Sequence, residues 1–136
     1  MRSLLFLILL FTCVSLSAQN REGHLIKSIY FGGGRWHIDS YQVMELYHFI
    51  DSLPGAMNYS ISIHSHTDDI GGAEFNQRLS ELRSRSVLKV LLNKGYLREA
   101  IEIKDFGMYN PVFDNSTHEG RTKNRRVDII FWPQVL

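Results

Sequence analysis

The strongest constraint on the fold lies between residues 59 and 103, where a short alternating run, a long helical run and a second alternating run follow one another. Tyr59, Ile61 and Ile63 alternate with Ser60, Ser62 and His64, the period of a strand with one face buried. Residues 73–94 have a helical pattern, and Gly95 follows where a left-handed backbone suits glycine. Ile101-Glu102-Ile103 begins a further strand. The flanks continue the alternation. Residues 26–31 form a short strand stopped by Gly32-Gly33-Gly34. Asp39 or Ser40 caps a helix running to about Leu53, with Val43, Leu46, Tyr47 and Ile50 on one face and Pro54-Gly55 ending it. After a loop holding Gly107, Pro111, Asn115 and Gly120 comes a last strand, Arg126 to Trp132, with Val127, Ile129 and Phe131 on one face. Helices between strands specify an α/β (α+β) sandwich, with helices packed on a sheet. No internal repeat and no long linker divides the chain.

The N-terminus is a segment apart. Arg2 precedes the apolar run Leu4–Phe11, and Ser15-Leu16-Ser17-Ala18 supplies a cleavage site, so residues 1–18 read as a secretory signal peptide. The run is shorter than the about 20 apolar residues that cross a membrane as a helix. Its removal takes Arg2 from the 15 basic residues and leaves the rest balanced against 14 acidic ones. With 44% apolar and 21% charged residues, the chain fits a folded domain and excludes a disordered or collagenous one. A near-neutral balance gives no footing for non-specific nucleic-acid binding. Cys13, the one cysteine, falls inside the signal, so the remaining chain has no disulfide, thiol nucleophile or thiolate metal site. The other reading makes Cys13 a lipidated N-terminus. Leu10, three residues earlier, suits it; Phe11 and Thr12 do not.

Chemistry appears on the helix at 73–94. At about 100° per residue, Phe75, Leu79, Leu82, Ser86 and Val90 share one arc, taken as the core side, and Gln77, Glu81, Arg85 and Lys89 lie towards solvent. Asn76 and Arg83 differ by about 20° around the axis and sit at the border of the apolar arc. A guanidinium there occupies a partly desolvated cleft and needs a carboxylate. Two readings stand side by side. In one, Arg83 forms an internal salt bridge with Asp68 or Asp128. In the other, Asp68 takes an ammonium, Arg83 takes a carboxylate bidentately and Asn76 adds polar contacts, which makes a receptor for a zwitterion.

The run His66-Thr67-Asp68-Asp69-Ile70-Gly71, followed by Asn76, Leu79-Ser80, Arg83 and Val87, resembles the central signature of OmpA-like (OmpA/MotB C-terminal-like) peptidoglycan-binding domains. The stretch Gly107, Asn110-Pro111, Asp114 to Thr117, Glu119-Gly120-Arg121 and Asn124 to Ile129 resembles the family's C-terminal signature. The resemblance spans residues 26–132, after a short lead-in at 19–25 and before a tail at 133–136. It implies a β-α-β-α-β-β order, a mixed sheet with helices on one side, and non-catalytic binding of peptidoglycan without a cofactor. The implied ligand is the diaminopimelate of the stem peptide. The implied site residues are Asp68 and Thr67 of the Thr-Asp motif, Asn76 and Arg83. It also implies a place in the periplasm or beside the outer membrane, with other envelope proteins as further partners.

The chain departs from the family at two places. Gly32-Gly33-Gly34 stand where members often carry acidic residues that touch the ligand, and Ser65 stands for a glycine. Arg125 and Arg126 are read as fixing the end of the last strand rather than holding ligand. Two other functions compete. The triple glycine favours a periplasmic interaction scaffold that keeps the fold without the ligand. His64-Ser65-His66-Thr67-Asp68-Asp69 partly resembles the metal-binding run of metallo-β-lactamase-like hydrolases, with His64 and His66 on one face of a strand and Asp68 nearby. Asp69 replaces that run's last histidine, and only His118 remains downstream. His64 is otherwise a strand histidine and His66 a loop residue lining the cleft.

Overall fold

The computed structural model describes residues 23–134; the signal peptide and Cys13 lie outside them. Four strands and three helices follow in the order β1 (Leu25–Tyr30), α1 (Ser40–Asp51), β2 (Tyr59–His66), α2 (Ala73–Lys94), β3 (Ile101–Gly107), α3 (His118–Asn124) and β4 (Arg126–Pro133). The sheet order is β1-β4-β2-β3. The β2 and β3 strands pair in parallel across the α2 crossover, whereas β4 runs antiparallel between β1 and β2. The sheet is therefore mixed, and its last strand in sequence sits at its centre.

Each element has a local cause. Asp39 caps α1 through a reciprocal capping box with Gln42, whose side-chain amide also donates to the Tyr30 carbonyl. Gly95 ends α2 at φ 116°, a left-handed conformation that favours glycine. The inward residues of the sheet, Ile29, Ile61, Ile63, Val127, Ile129 and Phe131, meet Leu46 and Ile50 of α1 and Val87 and Leu91 of α2 in one buried cluster. Phe131 holds an aromatic group together, with Phe49 at 5.5 Å and Tyr59 and Tyr96 at 6.4 Å between ring centroids.

Two local readings need correction. The loop before the last strand contains α3, capped by the Thr117 hydroxyl, which accepts from the Gly120 N–H. Its seven residues, HEGRTKN, hold no apolar side chain, so no hydrophobic period marks it. The buried stripe of α2 is Asn76, Leu79, Ser80, Arg83, Ser84, Val87 and Leu91, not the arc through Phe75 and Leu82. Phe75 is exposed, and its ring covers Gly71. The first half of α2 packs on turns whose backbone supplies polar partners, and there polarity no longer tracks exposure.

Candidate functional site

The three connections that follow β1, β2 and β3 meet beside the N-terminal half of α2. Arg83 is the deepest group among them and has no exposed surface. Its Nε donates to the Arg35 carbonyl at 2.8 Å, Nη1 to the His66 carbonyl at 2.9 Å and Nη2 to the Gly32 carbonyl at 3.2 Å. Its guanidinium carbon lies 4.9 Å from the centre of the Phe31 ring. The Arg35 N–H closes a turn on the Gly32 carbonyl, and Gly34 within it has φ 65°. Arg83 thus fastens both ends of the triple-glycine turn to the end of β2. A guanidinium has five N–H groups, and these contacts engage three. Burial lowers the Arg83 pKa to about 10, with nearby Asp68 opposing the shift and Arg125 adding to it. The group stays protonated at neutral pH.

Asp68 stands at the start of the β2–α2 connection, almost buried. Its Oδ1 accepts from the Ile70 N–H at 3.1 Å, and its Oδ2 pairs with Arg125 Nη1 at 3.2 Å. The salt bridges expected for Arg83 therefore go elsewhere: Asp68 binds Arg125, and Asp128 binds Arg126. The second correction has a topological reason. Asp128 alternates with the inward Val127 and Ile129, so it lies on the sheet face away from α2. Thr67 is held by its N–H to the Gly107 carbonyl at 2.8 Å, and its hydroxyl donates to the Asp68 carbonyl. Asn76, fully buried, donates from Nδ2 to the Ile70 carbonyl at 3.1 Å and weakly to that of Gly71. Its Oδ1 has no hydrogen-bond partner among the described residues. Asn76 thereby ties down the loop that carries Asp68.

Arg125 is the residue the sequence reading did not place in the site. Besides Asp68 it donates from Nε to the Phe31 carbonyl at 3.0 Å and from Nη2 to the Thr122 hydroxyl at 3.3 Å, joining the residue after β1, the β2–α2 loop and α3. The signal was present: Arg125 directly precedes a strand whose inward face begins with Val127.

His66 is the last residue of β2 rather than a loop residue. Its ring stacks on Phe106 at 4.9 Å, and its Nε2 lies 4.0 Å from Asp128. Burial first, then Arg126, lowers its pKa to about 4. His64 packs edge-on against the same Phe106. Both imidazoles sit on the outer sheet face, away from Arg83. Among the described residues no helix is long and apolar enough to cross a membrane.

The family description that fits the sequence is that of the OmpA family, over residues 30–125. The outer-membrane lipoprotein YfiB of Pseudomonas aeruginosa is 44% identical over 70 residues, covering 52% of this chain and 42% of that protein. The peptidoglycan-binding protein ArfA of Mycobacterium bovis is 35% identical over 80 residues, covering 59% of this chain and 24% of that protein. The chain thus spans less than half the length of these curated relatives. In fold it is similar to the peptidoglycan-associated lipoprotein of Burkholderia pseudomallei, with TM-score 0.69 and 24% identity over 77% of this chain and 89% of that one.

Proposed function

Since the chain belongs to the OmpA family, we propose that it binds cell-wall peptidoglycan in the bacterial envelope without catalysis, and that its ligand is the diaminopimelate of the stem peptide. The observation that carries this reading is a buried carboxylate, Asp68, set near a buried guanidinium, Arg83, that keeps two N–H groups outside its carbonyl contacts. The free end of diaminopimelate bears an ammonium and a carboxylate on one carbon. In this reading Asp68 takes the ammonium and Arg83 faces the carboxylate, where a planar fork provides geometry that a lysine lacks. Thr67 and Asn76 act on the loop between them: Thr67 fixes the Asp68 backbone, and Asn76 fixes Ile70 and Gly71. The 35% identity to a protein named for peptidoglycan binding supports the polymer as ligand.

The test is co-sedimentation with sacculi that contain diaminopimelate. Wild-type protein is expected in the pellet, and Asp68→Asn and Arg83→Lys, each shown folded by circular dichroism, in the supernatant. Wild-type protein remaining soluble would remove the binding function and favour the scaffold. Pelleting unchanged in both variants would move the site elsewhere.

A further inference from the structure

Solvent reaches the charged cluster at one edge. Arg83 has no exposed surface, whereas the Arg125 side chain is 15% exposed and that of Asp68 is 8% exposed. A ligand entering from solvent meets the Asp68–Arg125 pair first. Arg125, like Arg83, uses three of its five N–H groups, on Phe31, Asp68 and Thr122. It also changes the charge count. Among the described residues Asp68 is the only carboxylate paired with or acting on either arginine, so two guanidinium groups share one acid and the cluster carries one excess positive charge. Both arginines act on the same space, since Arg125 adds to the lowering of the Arg83 pKa while Asp68 opposes it. A neutral cluster would tell an amide from a carboxylate only by the acceptor oxygen that amidation turns into a donor. A cluster with an excess charge inside a low-dielectric cleft also tells them apart by charge.

We propose that Arg125 is a further binding residue of this site and its specificity determinant: it selects stem peptides whose diaminopimelate carboxyl group is free over those in which it is amidated. The proposal rests on the peptidoglycan reading and sharpens it. Asp68 keeps two acceptor positions for an ammonium beyond its bonds to Ile70 and Arg125, so the ligand's cation does not have to displace Arg125. The ligand's anion settles against both arginines. Amidation leaves its shape and one carbonyl oxygen in place, turns the other acceptor oxygen into an N–H donor and removes the charge that the excess cation answers.

The experiment is calorimetric titration of the purified protein with the tripeptide L-Ala-γ-D-Glu-meso-diaminopimelate, and with the same tripeptide amidated at the free end of diaminopimelate. Wild-type protein is expected to prefer the free acid about tenfold or more. Arg125→Gln should bring the two affinities within about threefold of each other, whereas Arg125→Lys should keep the preference, because it keeps the charge. Asp68→Asn raises the excess charge, so it should weaken both ligands and widen the ratio. This last variant decides the matter if Arg125→Gln does not fold. Equal wild-type affinities for the two tripeptides would overturn the proposal and leave peptidoglycan binding standing. A preference that Arg125→Gln leaves unchanged, or that Asp68→Asn narrows, would make Arg125 a structural anchor and overturn it equally. Wild-type protein that binds neither tripeptide would take down both readings.

Discussion

At the scale of the residue, Arg83 shows how the side chain proposed to meet ligand also holds the architecture together. Its three carbonyl contacts bind the triple-glycine turn to the end of β2, so a large truncation here damages the fold before it reports on binding. Arg83→Met is expected to destabilise the protein by about 3–5 kcal/mol, because it removes the guanidinium's three hydrogen bonds and leaves the carbonyls of Arg35, Gly32 and the buried His66 without their donor. Urea unfolding monitored by tryptophan fluorescence measures it, and a loss under about 1 kcal/mol would mean that the turn finds other donors. The glycines of the first turn acquire a role by the same contacts. Gly32 gives Arg83 an acceptor, and Gly34 takes the left-handed conformation of the turn. The triple glycine, read from the sequence as a lost contact, is a fastening point for the arginine of the site.

At the scale of the element, α3 decides how Asp68 is held. It contributes no apolar residue, and its position depends on a close approach at Gly120, where a β-carbon would lie 1.7 Å from the Asp114 carbonyl oxygen. That carbonyl is backbone and cannot swing aside. Gly120→Ala is expected to cost about 3 kcal/mol or more and to displace α3. The Thr122 anchor of Arg125 moves with it, so the amide resonance of Ile70, which donates to Asp68, should shift in a proton–nitrogen correlation spectrum. An Ile70 resonance at its wild-type position would show that Arg125 holds Asp68 without α3. The α2 helix teaches the complementary lesson. Its boundaries were readable from Gly95 and the helical period, but its buried face was not. Asn76, Ser80 and Arg83 are buried because the backbone beside them offers partners, and Ser84 because its hydroxyl donates to the Asp105 carboxylate of β3; a sequence does not show which groups will lie there.

At the scale of the whole molecule, the outer sheet face ties stability to pH. His66 has a native pKa of about 4 against 6.5 for an unperturbed histidine, and burial lowers that of His64 as well. The unfolded chain therefore binds protons between these values that the native chain refuses. Stability is complete above about pH 6.5 and is lost as the pH falls towards about 4. Screening by solvent leaves a loss on the order of 1 kcal/mol between pH 7 and pH 5, seen as a lower urea midpoint. His66→Gln should flatten that slope, and a slope unchanged by the substitution would place the titration elsewhere. The order and type of the main elements, the core residues of the strands and the one run that carries both Asp68 and Arg83 were legible in the sequence, because they depend on local period, capping and spacing. The partners were not. Asp68 pairs with Arg125, 57 positions away, because β4 inserts between β1 and β2 and brings its leading residue to the β2–α2 loop. Asp128 is kept from Arg83 because the pleat turns it to the other face of the sheet. Local residue pattern determined which segments form strands and helices; which charges meet was decided only by the strand order, since a buried charge takes the partner that topology brings within hydrogen-bonding distance.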